Sequence, residues 1–235
     1  MKLAAIYNVW DGEELFEQSL NSIKDHVDDV IIVWQEQSNF GEYYDPLYAI
    51  AGKGHLHKYT PDLTESGQQN EINKRMIGIR LAAQRGNTHF LHIDCDEIYD
   101  PKQFAQAKEK AKNYDVTACR LYTYYKEPCY RLTPIEDYWV PFICKIKKGM
   151  GIGNFFKYCD PTRGVSSGYD STYAFEQDEL MMHHYSYIRN DIGRKLRNSS
   201  ARGNFKDIAG MVERFNNWKE GDPLINFEGY EIEKV

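Results

Sequence analysis

Nowhere in the chain do eighteen apolar residues run together, so no segment has the makeup of a membrane-spanning helix. The opening stretch MKLAAIYNVWDGEE carries an apolar run too short for a signal peptide and meets acids at once. No CxxC pair occurs. The five cysteines (Cys95, Cys119, Cys129, Cys144, Cys159) are odd in number and scattered, which reads as reduced thiols in a cytosolic protein rather than a disulfide framework. Basic excess is missing too. Lys and Arg total 29 against 35 Asp and Glu, a net charge of -6, which argues against a surface that grips nucleic acid as a whole, and no stable nucleic-acid partner is expected. No Pro/Gly/Ser-rich linker, internal repeat or low-complexity tract divides the 235 residues. These absences predict one cytoplasmic domain over residues 1–235, without a transmembrane segment and either free or peripheral to a membrane.

What is present is a sizeable potential core, with 42% hydrophobic and 14% aromatic residues. The 18 tyrosines exceed what core packing needs, so some are expected to line a site where ring faces and hydroxyls meet a polar ligand. Short β-rich runs alternate with helical patterns through the first hundred residues. KLAAIYNV (2–9) precedes a helix that Asp11 is expected to cap, DDVIIVW (28–34) and HLHKY follow, and a helix over 66–85 leads into THFLHID. This order predicts an α/β fold: a mainly parallel sheet flanked by helices, with ligands bound beyond the C-terminal ends of the strands. After a helix near 101–112 the pattern changes to strands (DVTACRLYTYY, YWVPFICKIKK, ELMMHHYSYI) and a Gly-rich loop between the last two. That loop, with Phe155, Phe156 and Tyr158 beside GMGIG, suits a lid over an acceptor. The closing helix carries Phe205, Ile208, Val212, Phe215 and Trp218 close to one face and is expected to pack on the domain rather than on a membrane.

The stretch FLHIDCDEIYDP (90–101) runs from a buried strand into Asp94, Asp96 and Glu97. Carboxylates crowded at a strand end repel one another unless a cation or a ring of hydrogen-bond donors sits among them. Alternate residues of a strand point the same way, so Asp94 and Asp96 can face one divalent cation. A second cluster, DELMMHHYSYIRND (178–191), sets two adjacent histidines on a strand-like run, where only one can reach a given metal. His184 is the expected ligand. Two carboxylates and an imidazole suit Mn²⁺ or Mg²⁺, with the imidazole favouring Mn²⁺.

In YNVWDGEELFEQSLNSI, DDVIIVW, NEINKRMIGIRLAAQRGNTHFLHIDCDEIYDP and MHHYSYIRND, taken in this order, the chain resembles glycosyltransferases of the GT-A fold, family 2 type. The resemblance covers the first hundred residues and, more loosely, residues 178–202. It implies a GT-A (Rossmann-like) fold, with residues 1–100 as a nucleotide-sugar-binding half and 101–235 as an acceptor-side β/α half. It also implies a metal-dependent, inverting transfer of a sugar from a nucleotide-sugar donor to a glycan, lipid-linked or other hydroxyl acceptor. Asp94, Asp96 and His184 would hold the metal on the departing diphosphate. Basic residues after the histidines, Arg189 and Lys195 foremost among Arg189, Arg194, Lys195, Arg197 and Arg202, would clamp that diphosphate. Tyr7, Asn8, Trp10, Asn73 and Arg75 would contact the base and ribose. A base for the acceptor hydroxyl is expected in Glu179 or Asp178, with Asp170 and Glu176 as alternatives. The family's aspartate at the end of its second strand is replaced here by Trp34, Gln35, Glu36, Gln37 and Ser38. Gln35 or Gln37 would then meet the base, and UDP- and GDP-sugars both remain open. A nucleotidyltransferase would need a Gly-rich, lysine-bearing turn after the first strand, which YNVWDGEE lacks. The alternative from another class is a non-catalytic nucleotide-sugar-binding protein.

Overall fold

The computed structural model describes residues 1–153, 159–166 and 168–235. In chain order the elements are β1 (Leu3–Val9), α1 (Glu13–Ile23), β2 (Asp29–Trp34), α2 (Leu47–Ile50), β3 (His55–Lys58), α3 (Gly67–Gln84) and β4 (His89–Ile93). There follow β5 (Glu97–Tyr99), α4 (Pro101–Ala111), β6 (Val116–Tyr125), β7 (Tyr130–Thr133), β8 (Val140–Lys145), β9 (Thr172–Ala174), β10 (Met181–Tyr187), α5 (Ile192–Asn198), α6 (Ile208–Asn217) and β11 (Glu231–Lys234).

β1 pairs in parallel with β2 and β4, and β2 with β3, which gives the parallel order β3-β2-β1-β4. The chain steps outward from β1 to β3 and then returns to the other side of β1 as β4. That reversal opens a crevice at the C-terminal ends of β1 and β4. Beyond β4 the sheet continues antiparallel through β8 to β6 and β7, with β11 closing the edge. β10 runs parallel to β6 and antiparallel to β5, with His184 opposite both Thr123 and Glu97. The α/β class and its parallel centre thus follow the sequence reading.

Strand parity decides what enters the crevice. Leu3, Ala5, Tyr7 and Val9 of β1, and Leu91 and Ile93 of β4, pack against Phe16 of α1 and Phe104 of α4. Ala4 and Ile6, with Phe90, turn to the opposite face and meet Ile79 and Ala82 of α3. Continuing that alternation puts Asn8 and Asp94 on the α3 side, where Arg75 stands. The helix approaches β1 so closely that a Cβ on Gly78 would overlap Ile6, which explains a glycine in mid-helix despite its propensity cost of about 1 kcal/mol.

Helix starts follow local chemistry. Ser66 Oγ accepts from Gln69 N at 3.0 Å, and Asp100, with Pro101 at the first turn, accepts from Lys102 N and Gln103 N. The expected cap of α1 is displaced: Gly12, at φ +87°, takes the capping position, and Asp11 instead accepts from Arg194 Nε at 2.9 Å. The closing helix α6 buries Met211 and Phe215 in a third core with Tyr125, Tyr187, Leu196 and Trp218. Among the described residues, no helix is long and apolar enough to cross a membrane.

Candidate functional site

The crevice at the ends of β1, β2 and β4 holds a cleft of ≈ 260 Å³. From the β2 side it is lined by Gln35 and Asn39, then by Asn8 at the end of β1 and Trp10 beyond it, then by Asp94 and Asp96 beyond β4. Lys74 and Arg75 of α3, His184 of β10, and Arg189 and Lys195 near the start of α5 complete it with Arg163.

The carboxylates here are heavily counter-charged. Arg163 Nη2 donates to Asp94 Oδ2 at 2.5 Å, and Arg75 Nη2 donates to the same oxygen at 3.2 Å. Glu97, 1% exposed at its side chain, receives both terminal nitrogens of Arg163 and the backbone N of Asp94. Asp96 Oδ2 accepts from Arg189 Nη2 at 2.5 Å and Lys195 Nζ at 3.4 Å, with His184 Nε2 3.8 Å away. Burial works to raise the carboxyl pKa of Asp96, but Arg189 and Lys195 outweigh it and hold the group well below the carboxylate range. Asp94 is lowered in the same way, burial being overcome by Arg163 and Arg75. Burial pushes His184 down, so its imidazole is neutral at neutral pH and free to act as a ligand. Burial also lowers Lys74 to about 8.

Several side chains stand behind the cleft and set it. Tyr7 is fully buried, and its hydroxyl shares a 3.0 Å hydrogen bond with Ser19, which donates to the backbone oxygen of Glu97 at 2.6 Å. Tyr185 N donates to Asp96 O at 2.7 Å, locking β10 to the acidic turn. Gly12 lets the Arg189 guanidinium pass over the start of α1, because a Cβ there would overlap it.

A set of buried polar atoms around the cleft has no hydrogen-bond partner among the described residues: both amide atoms of Asn8, Trp10 Nε1, Gln35 Oε1, Arg75 Nε and Nη1, and Arg189 Nε and Nη1. A buried donor or acceptor left unmade costs about 1–3 kcal/mol, so this concentration marks a place built for a ligand. The amide of Gln35 is oriented by a relay: its Nε2 donates to Asn39 Oδ1 at 3.1 Å, and Asn39 Nδ2 donates to Gly67 O at 3.2 Å. Its free oxygen is therefore an acceptor aimed at a donor on the ligand.

Of the residues expected from the sequence, the structure brings Asn8, Trp10, Gln35, Arg75, Asp94, Asp96, His184, Arg189 and Lys195 into one cleft. Gln37 instead donates to Gly41 O. Tyr7 supports the cleft from behind, and Asn73 lies outside it, bonded to Gln69 and Glu65. Glu179 is elsewhere: Lys110 Nζ and the Tyr173 hydroxyl occupy its two oxygens at 2.5 and 2.8 Å. Asp178 lines a separate depression with Arg120 and Trp139. The reason is topological: Asp178 and Glu179 belong to the turn before β10, which is held to Lys110 of α4, whereas His184 lies midway along the strand. Of the lid segment, Phe155, Phe156 and Tyr158 fall outside the described residues.

The ligand atoms that converge for a metal are those of Asp96, Glu97 and His184, all within 4.8 Å of one another. Glu97 stands where Asp94 was expected: strand alternation puts Asp94 on the α3 side, where Arg75 holds it, while both oxygens of Glu97 also accept from Arg163. Two carboxylates and a neutral imidazole fit a Mn²⁺ or Mg²⁺ donor set.

Sequence reasoning missed Arg163, Lys74 and Glu71. Arg163 comes from DPTRG, in which Asp160 Oδ1 accepts from Thr162 N and Oγ1 and turns the chain inward. The turn is visible in the sequence, but its destination is not.

No protein-family model matches the chain, and no curated protein matches it. Among solved structures it is similar over 52% of its length to residues 1–349 of S. aureus TarS (14% identity, TM-score 0.37, 35% of that chain). It is similar over the same share to that protein in complex with UDP-GlcNAc (17% identity, TM-score 0.35, 34% of that chain). A third is glucosyl-3-phosphoglycerate synthase from Mycobacterium tuberculosis in complex with Mn²⁺ and UDP-glucose (13% identity, TM-score 0.35, 52% of this chain and 43% of that one). The chain thus spans less than half the length of these structures.

Proposed function

We propose that this protein is a glycosyltransferase whose cleft binds a nucleotide sugar and transfers its sugar to a hydroxyl acceptor. The observation that carries this reading is the pattern of unpartnered polar atoms. On the β1 and β2 side they are neutral: the amides of Asn8 and Gln35 and the indole N–H of Trp10. On the α3 and β10 side they are cationic: Arg75 and Arg189. A nucleoside diphosphate has the matching polarity, with a lactam-edged base and ribose at one end and two phosphates at the other.

The chemistry asked of the chain is stabilisation of a leaving diphosphate. Arg189 and Arg75 have spare N–H groups for its oxygens, and these cost no reorganisation because Asp96 and Asp94 already hold the guanidinium planes. Lys195 adds a point charge beside them. Asp96, Glu97 and His184 are the residues that would hold Mn²⁺ or Mg²⁺, whose contribution would be Lewis-acid neutralisation of the diphosphate. Gln35, fixed by Asn39, accepts from a base N–H, which selects uracil or guanine over bases lacking that donor at the same edge.

Calorimetry with UDP- and GDP-sugars, with and without Mn²⁺, tests the reading. Binding that tightens with the metal and is lost in Asp96→Asn is the expected result. No binding of any sugar nucleotide under either condition overturns it.

A further inference from the structure

A second cavity, also of ≈ 260 Å³, lies against the first. The two share Asp160, Arg163, His184 and Ser186. The new wall is built from the acceptor-side half: Thr123 of β6, Glu136 and Tyr138 from the segment before β8, Tyr187 of β10, and Asn226 and Phe227 ahead of β11.

Its chemistry differs from that of the cleft. Tyr187 and Phe227 meet edge to face, with ring centroids 5.0 Å apart. Asn226 sits at φ +63°, a conformation asparagine tolerates, and donates from Nδ2 to the Tyr187 hydroxyl at 3.1 Å. This turn brings Phe227 over the cavity. Thr123, the register partner of His184, donates its hydroxyl to Glu136 Oε2. Glu136 is therefore tied by one hydrogen bond to a residue that neighbours the shared wall. Three carboxylates line the cavity (Glu97, Glu136, Asp160) against the single guanidinium of Arg163, which Asp94, Glu97 and Asp160 already engage. Among the described residues lining the cavity, no cation lacks a carboxylate partner and is left over for a phosphate or carboxylate group. Ring faces with a few hydrogen-bonding groups are what an uncharged sugar ring needs.

We infer that this second cavity is the acceptor subsite, that it takes a neutral saccharide rather than a phosphorylated or carboxylated acceptor, and that Glu136 receives the proton of the attacking hydroxyl. The inference rests on the donor reading of the first cleft. In the step, the acceptor oxygen bonds to the anomeric carbon as that carbon's bond to the diphosphate oxygen breaks. The electron pair leaves with the diphosphate and the hydroxyl proton passes to the Glu136 carboxylate, so the sugar carbon inverts.

The test uses the full chain, the sugar nucleotide it binds by calorimetry, and two acceptor panels: neutral mono- and disaccharides, and sugar or polyol phosphates. Neutral saccharides are expected to be glycosylated and phosphorylated ones not. Glu136→Gln should lower kcat for transfer by about 10²–10⁴-fold with calorimetric affinity for the sugar nucleotide retained. Phe227→Leu should raise the acceptor KM with little change in kcat, a split that a merely structural role for that ring would not give. If the sugar nucleotide binds but only phosphorylated acceptors are used, or Glu136→Gln transfers at the unaltered rate, the inference is overturned while the donor reading stands. If no sugar nucleotide binds, both fall together.

Discussion

The cleft and the cavity beside it share Arg163 and His184, yet they satisfy their polar atoms in opposite ways. In the cleft, amide and guanidinium atoms of Asn8, Gln35, Arg75 and Arg189 are buried and left open. In the cavity, the Thr123 hydroxyl, Asn226 Nδ2 and the Tyr187 hydroxyl are already bonded to one another or to Glu136. The difference teaches where binding free energy resides. The folded chain is less stable than it would be with those cleft atoms paired, and a ligand that pairs them recovers the difference as affinity. The cavity holds back nothing comparable, and it recognises shape.

The comparison breaks most severely at the shared wall. Arg163→Met leaves Glu97, fully buried, without its partner and removes one of the two guanidinium groups bonded to Asp94. Removing one member of a buried pair costs about 3–5 kcal/mol, to be read from denaturant unfolding. Adding Glu97→Gln should restore part of that loss, because the stranded charge is then gone. If Arg163→Met alone is as stable as the parent, the two sites do not depend on a common strut.

Ligand addition sharpens the contrast. At about 100 times its dissociation constant, a sugar nucleotide should stabilise the chain by about 2.7 kcal/mol, or roughly 5–10 °C in Tm for a chain of this size. A neutral saccharide at the same concentration should barely move the midpoint, because the cavity has few unmade hydrogen bonds to complete. Equal shifts from both ligands would show that the open atoms of the cleft do not set its affinity.

How much of this contrast can be read from the sequence divides along the same line. Asp94, Asp96 and His184 were legible because strand parity and position at a strand end are local properties. Asn8 and Arg75 came only through the family resemblance, which also pointed to Asn73, a residue the structure leaves outside the cleft. Arg163 and Glu136 were not. The first arrives through an Asx turn from a loop 66 residues beyond Glu97, and the second lies between β7 and β8 with no periodic pattern around it. Glu179 shows the opposite error: nearness in sequence to His184 suggested nearness in space, but Glu179 belongs to the turn before β10, and the extended residues from Met181 to His184 alone span about 10 Å. Asp11 was displaced as a helix cap because Arg194, from 183 residues away, took its carboxylate.

Within the cleft itself the cationic side should outweigh the amide side. Arg189→Met removes two unpartnered nitrogens and one bonded to Asp96, and should weaken sugar-nucleotide binding by about 10–100-fold, or 1.5–3 kcal/mol. Arg189→Lys should not restore it, since a single ammonium cannot supply the fork. Gln35→Leu should cost about 1 kcal/mol in nucleotide affinity and leave pyrophosphate binding untouched. An equal loss for pyrophosphate would mean that Gln35 does not face the base.

The smallest expected effect separates the two sites by pH. Burial raises the carboxyl of Glu136 above the usual carboxylate range against the opposing hydrogen bond from Thr123. A proton acceptor must be ionised, so a raised pKa keeps part of the population protonated, and inactive, at mildly acid pH where an ordinary carboxylate is already charged. Transfer should therefore climb with pH through that range and level off by neutrality, a few-fold change between about pH 5 and 7. Metal-free binding in the cleft should lack this limb, because Asp96 is held ionised far below the range and burial keeps His184 neutral throughout it. Burial raises Glu97 to about 7, so binding that uses Glu97 through Mn²⁺ carries a limb of its own, and the comparison is made without metal. Measuring kcat for transfer and calorimetric sugar-nucleotide affinity across the same buffers makes the comparison direct. A limb of the same size in both would assign the titration to the shared wall instead of to Glu136.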